Sequence, residues 1–180
     1  EKIINESSVS GLVGAIDEFS AAMNDFANNP SSTTYRYLVQ NKGVQLTNYF
    51  NETSVQLEEL QVELNNKVKE QVDEINDLAK QIADLDVKIR NNEITGRETN
   101  LLRDERDLLI DSLAEFGDIE VTEKTYGKLI NGSDDVRITI KFAGTIMVEH
   151  GNYRELGISK RVDKKNVEDV EGLYDVGWKD

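Results

Sequence analysis

Cysteine is absent from this 180-residue chain, and histidine and proline occur once each. Without cysteine there is no disulfide framework, thiolate nucleophile, thiolate zinc site or iron–sulfur cluster. The single histidine, His150, removes most routes to histidine-based metal or triad chemistry. Positive charge is also scarce: 21 Lys+Arg stand against 35 Asp+Glu, giving a net charge of -14. Nucleic acids are bound through clustered positive charge, and anionic membranes attract it, so neither is an expected partner. No apolar run approaches the roughly 18 residues that a membrane span requires. No basic stretch followed by an apolar one opens the chain, so no cleavable signal peptide is expected. The chain opens on Glu1 rather than Met, and we expect it to be part of something longer.

What the chain has is the composition of long helices, with 31% charged residues and many Leu, Glu, Asn and Lys. Between Gly11 and Asn28, Leu12, Ile16, Phe19, Met23 and Phe26 fall on one helical stripe. Asn28, Asn29 and Pro30 end it. The next helix is capped by Ser31 or Ser32, or by Asn29 with Pro30 in the first helical position. That second helix runs from about Thr33 to Asn91 without a proline. Its stripe holds Leu46, Phe50, Leu57, Leu60, Leu64, Val68, Val72, Ile75, Leu78, Ile82, Leu85 and Ile89. The spacing from Ile75 to Ile89 is heptad, whereas Leu60 to Val72 steps by four and reads as a stutter. Roughly 60 residues at about 1.5 Å each make a rod of about 90 Å, with Gly43 the place for a kink.

After a loop at 91–96, a third helix is capped within Thr95-x-x-Glu98, or by Thr99 or Asn100. It carries Leu101, Leu102, Leu108, Leu109, Leu113 and Phe116, with Gly117 in the C′ position and Arg103 paired with Asp107 four residues on. Beyond Gly117 the period changes to two. Ile119 and Val121 alternate with polar residues, as do Val136, Ile138, Ile140 and Phe142. Asn131-Gly132 and Ala143-Gly144 supply turns, and Thr145–Glu149 answers as a hairpin partner. From Gly151 onward the pattern weakens. The expected architecture is mainly α with a β-rich C-terminal part: a long-helix rod or antiparallel bundle of about three helices, then an incomplete antiparallel β domain. The boundary falls between a helical domain, 1–117, and a β-rich domain, 118–180.

The helix lengths do not match. Two short helices folded back at the ends of a long one leave its middle stripe, Leu57, Leu60, Leu64, Val68 and Val72, bare. A stripe of that length does not stay solvated, so absent parts of the chain or another copy are expected to pack there.

Residues that invite a chemical reading have structural ones instead. His150 precedes Gly151 at a turn and has no second ligand near it in sequence. Asp134-Asp135 and Asp104-Glu105-Asp107 lack the alternation of a calcium loop. Glu58-Glu59 and Asp73-Glu74 lie on a rod with no cleft for paired acid–base work. Asn51-Glu52-Thr53 and Asn131-Gly132-Ser133 match a glycosylation pattern that is common by chance. Trp178 and the tyrosines read as packing. No catalytic, cofactor-binding or metal-ligating residue is expected.

Three stretches, in order, resemble the flagellar hook-associated protein 1 family. One runs from Glu1-Lys2-Ile3-Ile4-Asn5-Glu6 through Phe19 and Asn24-Asp25-Phe26-Ala27 to Asn29-Pro30-Ser31-Ser32. A second spans Val72 to Leu85, and the third is Asp104-Glu105-Arg106-Asp107-Leu108-Leu109. Departures are Ser7, Arg103 and Glu105, where proline, leucine and glutamine are frequent. The resemblance covers about residues 1–125 well and the rest loosely. It implies a non-enzymatic structural component of the bacterial flagellum, an adaptor between hook and filament that carries no cofactor. Implied partners are other copies in a ring, the neighbouring hook, the second junction protein and an export chaperone for the full-length chain. The implied location is extracellular, on the flagellum, after type III export. It also implies that terminal segments are missing here. A generic coiled-coil module explains the heptads but not the three ordered motifs, and a carboxylate-based hydrolase would need a pocket that nothing in the sequence indicates. The isolated chain is expected not to polymerise, and filaments in electron micrographs of the purified chain would overturn that reading.

Overall fold

The computed structural model describes residues 6–179; the opening run Glu1–Asn5 of the first resembling stretch lies outside them. Helix α1 spans Glu6–Asn28, α2 spans Thr33–Ile94 and α3 spans Asn100–Ala114. Strands follow at β1 (Ile119–Lys128), β2 (Asp134–Phe142), β3 (Thr145–Glu149), β4 (Asn152–Tyr153), β5 (Leu156–Lys160) and β6 (Tyr174–Trp178). The expected architecture is thus the observed one, with a second helix of 62 residues. Packing divides the chain into two units. One holds the described residues up to Leu64 together with Lys165–Val170, and the other holds Asn65–Lys164 with the chain from Glu171 onward.

In the first unit, the chain reverses at Asn29–Ser32. Of the three candidate caps it is Ser32 that acts, its Oγ accepting the Tyr35 N–H at 3.5 Å. α1 and the start of α2 then run antiparallel. Arg36 lies over the Phe26 ring, Lys42 pairs with Glu18 at 2.7 Å, and Gly43 and Gly11 sit under Phe19 and Tyr49. Gly43 therefore continues the helix beneath a ring. The α1 stripe is only partly covered. Leu12, Phe19 and Phe26 are half-buried and Ala22 is buried, whereas Ile16 and Met23 stay exposed. One neighbouring helix covers one row of side chains, and the flanking row is left to solvent.

In the second unit, Ile75, Leu78, Ile82, Leu85 and Ile89 are all buried, as their heptad spacing requires. Ala79 and Ala83 between them are small enough to bring other elements close. α3 contributes Ile110 and Leu113, and the strands contribute Ile138, Ile140, Phe142, Met147, Val148 and Leu156 to the same core. The first sheet has the order β1-β2-β3-β4, and β5 pairs with β6 separately, all antiparallel. Thr145–Glu149 is the hairpin partner of β2, through a turn in which Ala143 and Gly144 both have positive φ (48° and 77°). That is the geometry tight hairpins favour.

α3 departs from expectation in four ways. Leu101 and Leu108 face solvent, and the buried positions are Arg106, Ile110 and Leu113, spaced four and three. The helix ends at Ala114 with Glu115 as its cap, so Phe116 and Gly117 lie past it. Gly117 is not a left-handed cap; a Cβ there would come 2.9 Å from Cζ of the buried Phe142 ring, which explains the glycine. Arg103 pairs with Glu93 across the α2–α3 connection, while Asp107 takes Arg106. Thr99 is the N-cap residue, without a side-chain capping bond.

The segment after Gly151, weak in pattern, supplies β4, β5 and β6 and is held by side-chain amides of α2. Asn76 donates to the Leu156 carbonyl at 2.9 Å and accepts the Leu156 N–H at 2.8 Å. Asn65 accepts the Tyr174 N–H at 2.7 Å. In the first unit, Gln61 accepts the Val170 N–H at 2.7 Å and donates to the Asp169 carboxylate at 3.1 Å. Asn76→Ala leaves both backbone groups of Leu156 without their partner and is expected to cost about 1–3 kcal/mol. This would be read as a lower urea midpoint at unchanged slope; an unchanged midpoint would refute the role.

Candidate functional site

The surface most open to function lies on α2 ahead of its buried heptads. Leu57 and Leu64 are exposed, and Leu60 and Val68 are half-buried. The stripe expected to be bare is therefore shorter than predicted. Val72 is buried at its end, because it belongs to the core that α3 and the strands complete. Ahead of Leu64, a groove of about 640 Å³ runs between Phe50, Leu57, Glu58 and Gln61 on α2 and Asn166, Glu168 and Asp169 of the C-terminal segment. Asp169 is buried, and its carboxylate accepts from the Asn166 backbone at 3.0 Å as well as from Gln61.

The strongest concentration of charge lies between α2, α3 and the first sheet. Arg106 is 4% exposed. Its guanidinium donates to Asp107 at 3.0 Å and Glu123 at 3.5 Å and stands 3.8 Å from Asp86, so one side chain ties α3 to α2 and to β1. Burial pushes the Asp86 carboxyl above its ordinary pKa, against the pull of Arg106. Nearby, Asp135 takes Arg137 at 2.7 Å and Arg90 at 3.8 Å. The hydrogen bond from Arg137 holds its carboxyl below the ordinary value. Arg137 and Lys124 both lie over the ring of Tyr126.

His150 closes this group. It occupies the β3–β4 turn with φ 53°, as the turn reading required, yet its ring is half-buried and edge-on to Tyr126, with centroids 5.0 Å apart. Its Nε2 has no hydrogen-bond partner among the described residues. A recess of about 220 Å³ is lined by Asp86, Arg90, Val136, Arg137 and His150. Its guanidiniums already face carboxylates, so the charges neutralise one another and hold elements together.

The other flagged residues do not converge. Asp104 and Glu105 are exposed on α3, Glu58 and Glu59 on α2, and Asp73 and Glu74 farther along α2. Asp134 pairs with Lys128 at the end of the β1–β2 hairpin. Asn131 in that hairpin's turn accepts from Ser133 and donates to the Glu93 carbonyl. Trp178 packs at the core's edge under Arg154. Among the described residues no group of three or more His, Cys, Asp or Glu is placed to hold a metal ion, and no helix is long and apolar enough to cross a membrane. Arg106 was not anticipated as a buried residue. The available signal was its spacing, four and seven residues before Ile110 and Leu113, which puts a charge on the apolar face.

The family model described as the flagellar hook-associated protein FlgK helical domain matches residues 1–175. The chain belongs to that family. It is similar to flagellar hook-associated protein 1 of Bacillus subtilis (strain 168), with 29% identity over 169 residues, covering 93% of this chain. It spans 32% of that relative's length. The fold matches the structure of the flagellar hook junction protein FlgK from Burkholderia pseudomallei at a TM-score of 0.73 and 19% identity, over 96% of this chain and 28% of that one. Within a FlgK helical domain, Arg106 has a structural role, since it joins two helices and a strand. Arg106→Ala leaves the half-buried Asp86 carboxylate without its cation and is expected to cost about 1–3 kcal/mol. Asp86→Asn in the same chain should recover part of that loss in urea unfolding. A single variant as stable as the parent would show that the ion cluster contributes nothing.

Proposed function

We propose that this chain is the long-helix part of a structural component of the bacterial flagellum, which joins hook to filament by subunit packing and catalyses no reaction. The observation that carries the reading is the family match across nearly the whole chain. The exposed Leu57–Leu64 seam supports it, because a packing protein must leave apolar surface for its neighbours. In this reading residues 1–117 are the helical rod domain and 118–180 the β-rich domain. The seam is covered by other segments of the longer protein or by another copy.

The partners are further copies in a ring, the hook on one side and the second junction protein on the other, with an export chaperone for the full-length chain before assembly. The site of action is extracellular, reached through the flagellar type III route. The net charge of -14 supports this history, because self-repulsion keeps monomers soluble before they meet the lattice. Individual polar contacts between subunits are modest, about 0–1 kcal/mol each, so the assembly depends on many copies.

Deletion of the source gene is expected to leave cells with hooks and no filaments, with flagellin released into the medium. Electron microscopy and a flagellin assay would read the two outcomes. Intact filaments would sink the junction reading and favour a generic coiled-coil module.

A further inference from the structure

Asn131-Gly132 lies in the turn between β1 and β2, where Asn131, Gly132 and Ser133 are all exposed. It is the one asparagine–glycine pair in the chain. Elsewhere an asparagine is followed by proline, which has no backbone N–H, or by a residue whose side chain crowds its nitrogen. At Gly132, with φ 88°, the space a side chain would fill is open.

Both ends of the Asn131 amide are engaged. Its Oδ1 accepts the Ser133 hydroxyl at 2.7 Å and the Ser133 backbone N–H at 3.1 Å. Its Nδ2 donates to the Glu93 carbonyl in the last turn of α2. The bond to the Ser133 N–H closes an Asx turn, which curls the side-chain carbonyl carbon back over the peptide that follows. Together the two Ser133 donors meet the oxygen that takes up negative charge when a nucleophile adds to that carbon. The nucleophile in reach is the Gly132 nitrogen, which closes a five-membered ring. In the closed turn its N–H is held by the Leu129 carbonyl at 2.9 Å, so that bond has to open first. Opening costs little at a hairpin tip, and the β1–β2 register slips between Thr125 and Lys128 just beneath it. The Ser133 contacts are local to residues 131–133 and do not depend on Leu129.

We propose that Asn131 is a site of spontaneous deamidation, and that the change unties the β1–β2 hairpin from the end of α2. The Gly132 nitrogen gives its proton to solvent base and bonds to Asn131 Cγ. The Cγ–Nδ2 bond then breaks, and Nδ2 leaves with a solvent proton as ammonia. Water opens the resulting cyclic imide, at Cγ to give aspartate or at the backbone carbonyl to give isoaspartate. Either product has lost the N–H that reached the Glu93 carbonyl and has gained a carboxylate. Acceptor then faces acceptor, at a helix end where partial negative charge already collects. The change runs one way, because the ammonia is lost to solvent.

The test is incubation of the purified 180-residue chain in mildly alkaline buffer, read by peptide mass spectrometry and by enzymatic methylation of isoaspartyl groups. Conversion is expected first at Asn131, mostly to isoaspartate, and faster as pH rises because the nitrogen must lose its proton. Another asparagine reacting ahead of Asn131 would overturn the assignment. Ser133→Ala keeps the asparagine–glycine pair and should slow conversion about fivefold, the worth of one hydrogen bond to the developing charge. Conversion of that variant at the parent rate would mean that the turn contributes nothing, and would overturn the assignment as well. Asn131→Asp supplies the product directly. Hydrogen exchange should quicken about fivefold at the Leu129 and Gly132 amides and in the last turn of α2, with Ile75–Ile89 as protected as in the parent. Unchanged exchange at the hairpin would refute the release. Lost protection along Ile75–Ile89 would make the effect global and refute it equally.

Discussion

The second unit depends on one face of α2, the row Ile75, Leu78, Ile82, Leu85 and Ile89. α3 and the strands place their own apolar residues against the same core, and none of them could form a core alone. A four-stranded sheet with one strand of only two residues, and a separate two-stranded pair, have too little shared surface to exclude water unaided. The helix supplies the missing layer. Burial of a Leu, Ile or Val side chain stabilises by about 1.5–3 kcal/mol, so five such positions on one helix outweigh any single polar contact described above.

Polar groups decide how the pieces are arranged on that layer. Asn76 offers its amide to both backbone groups of Leu156, as a neighbouring strand would, and so fixes where β5 begins. Arg106 fixes α3 against α2 and β1 in the same manner, through carboxylates on all three elements. Buried ionic groups of this kind add little net stability compared with apolar residues of the same size, but removing one partner is costly. Their effect is on uniqueness: alternatives that slide α3 or shift the tail leave a charge or an amide unsatisfied.

The first unit has the opposite character. α1 covers one side of α2, and apolar residues remain exposed both on the seam at Leu57 and Leu64 and at Tyr37, Val44, Val55 and Val62. The chain keeps its cohesion in the second unit and leaves apolar surface exposed in the first. Among the described residues no group of three or more His, Cys, Asp or Glu is placed to hold a metal ion. The recess beside His150 holds charges that are already matched.

Much of this was legible in the residues. Periodicity placed three helices and the change to strands after Gly117, and the heptads from Ile75 to Ile89 named five of the eight buried positions of α2. Turn chemistry named the β2–β3 hairpin. Local reasoning failed where a residue's role is set by something distant. Leu101 and Leu108 look like core on a helical wheel, yet the face that meets α2 is the one bearing Arg106, Ile110 and Leu113. Gly117 reads as a cap, but its reason is the Phe142 ring, 25 residues away. The tail beyond Gly151 has weak alternation because amides of α2 hold its backbone, and those amides are spaced as helix, not strand. The sequence by itself determined the elements, because hydrophobic period and turn residues act over a few neighbours. Which charge is buried, which leucine is wet and where the tail lies were decided by tertiary packing, because each depends on surfaces that the chain brings together only after folding.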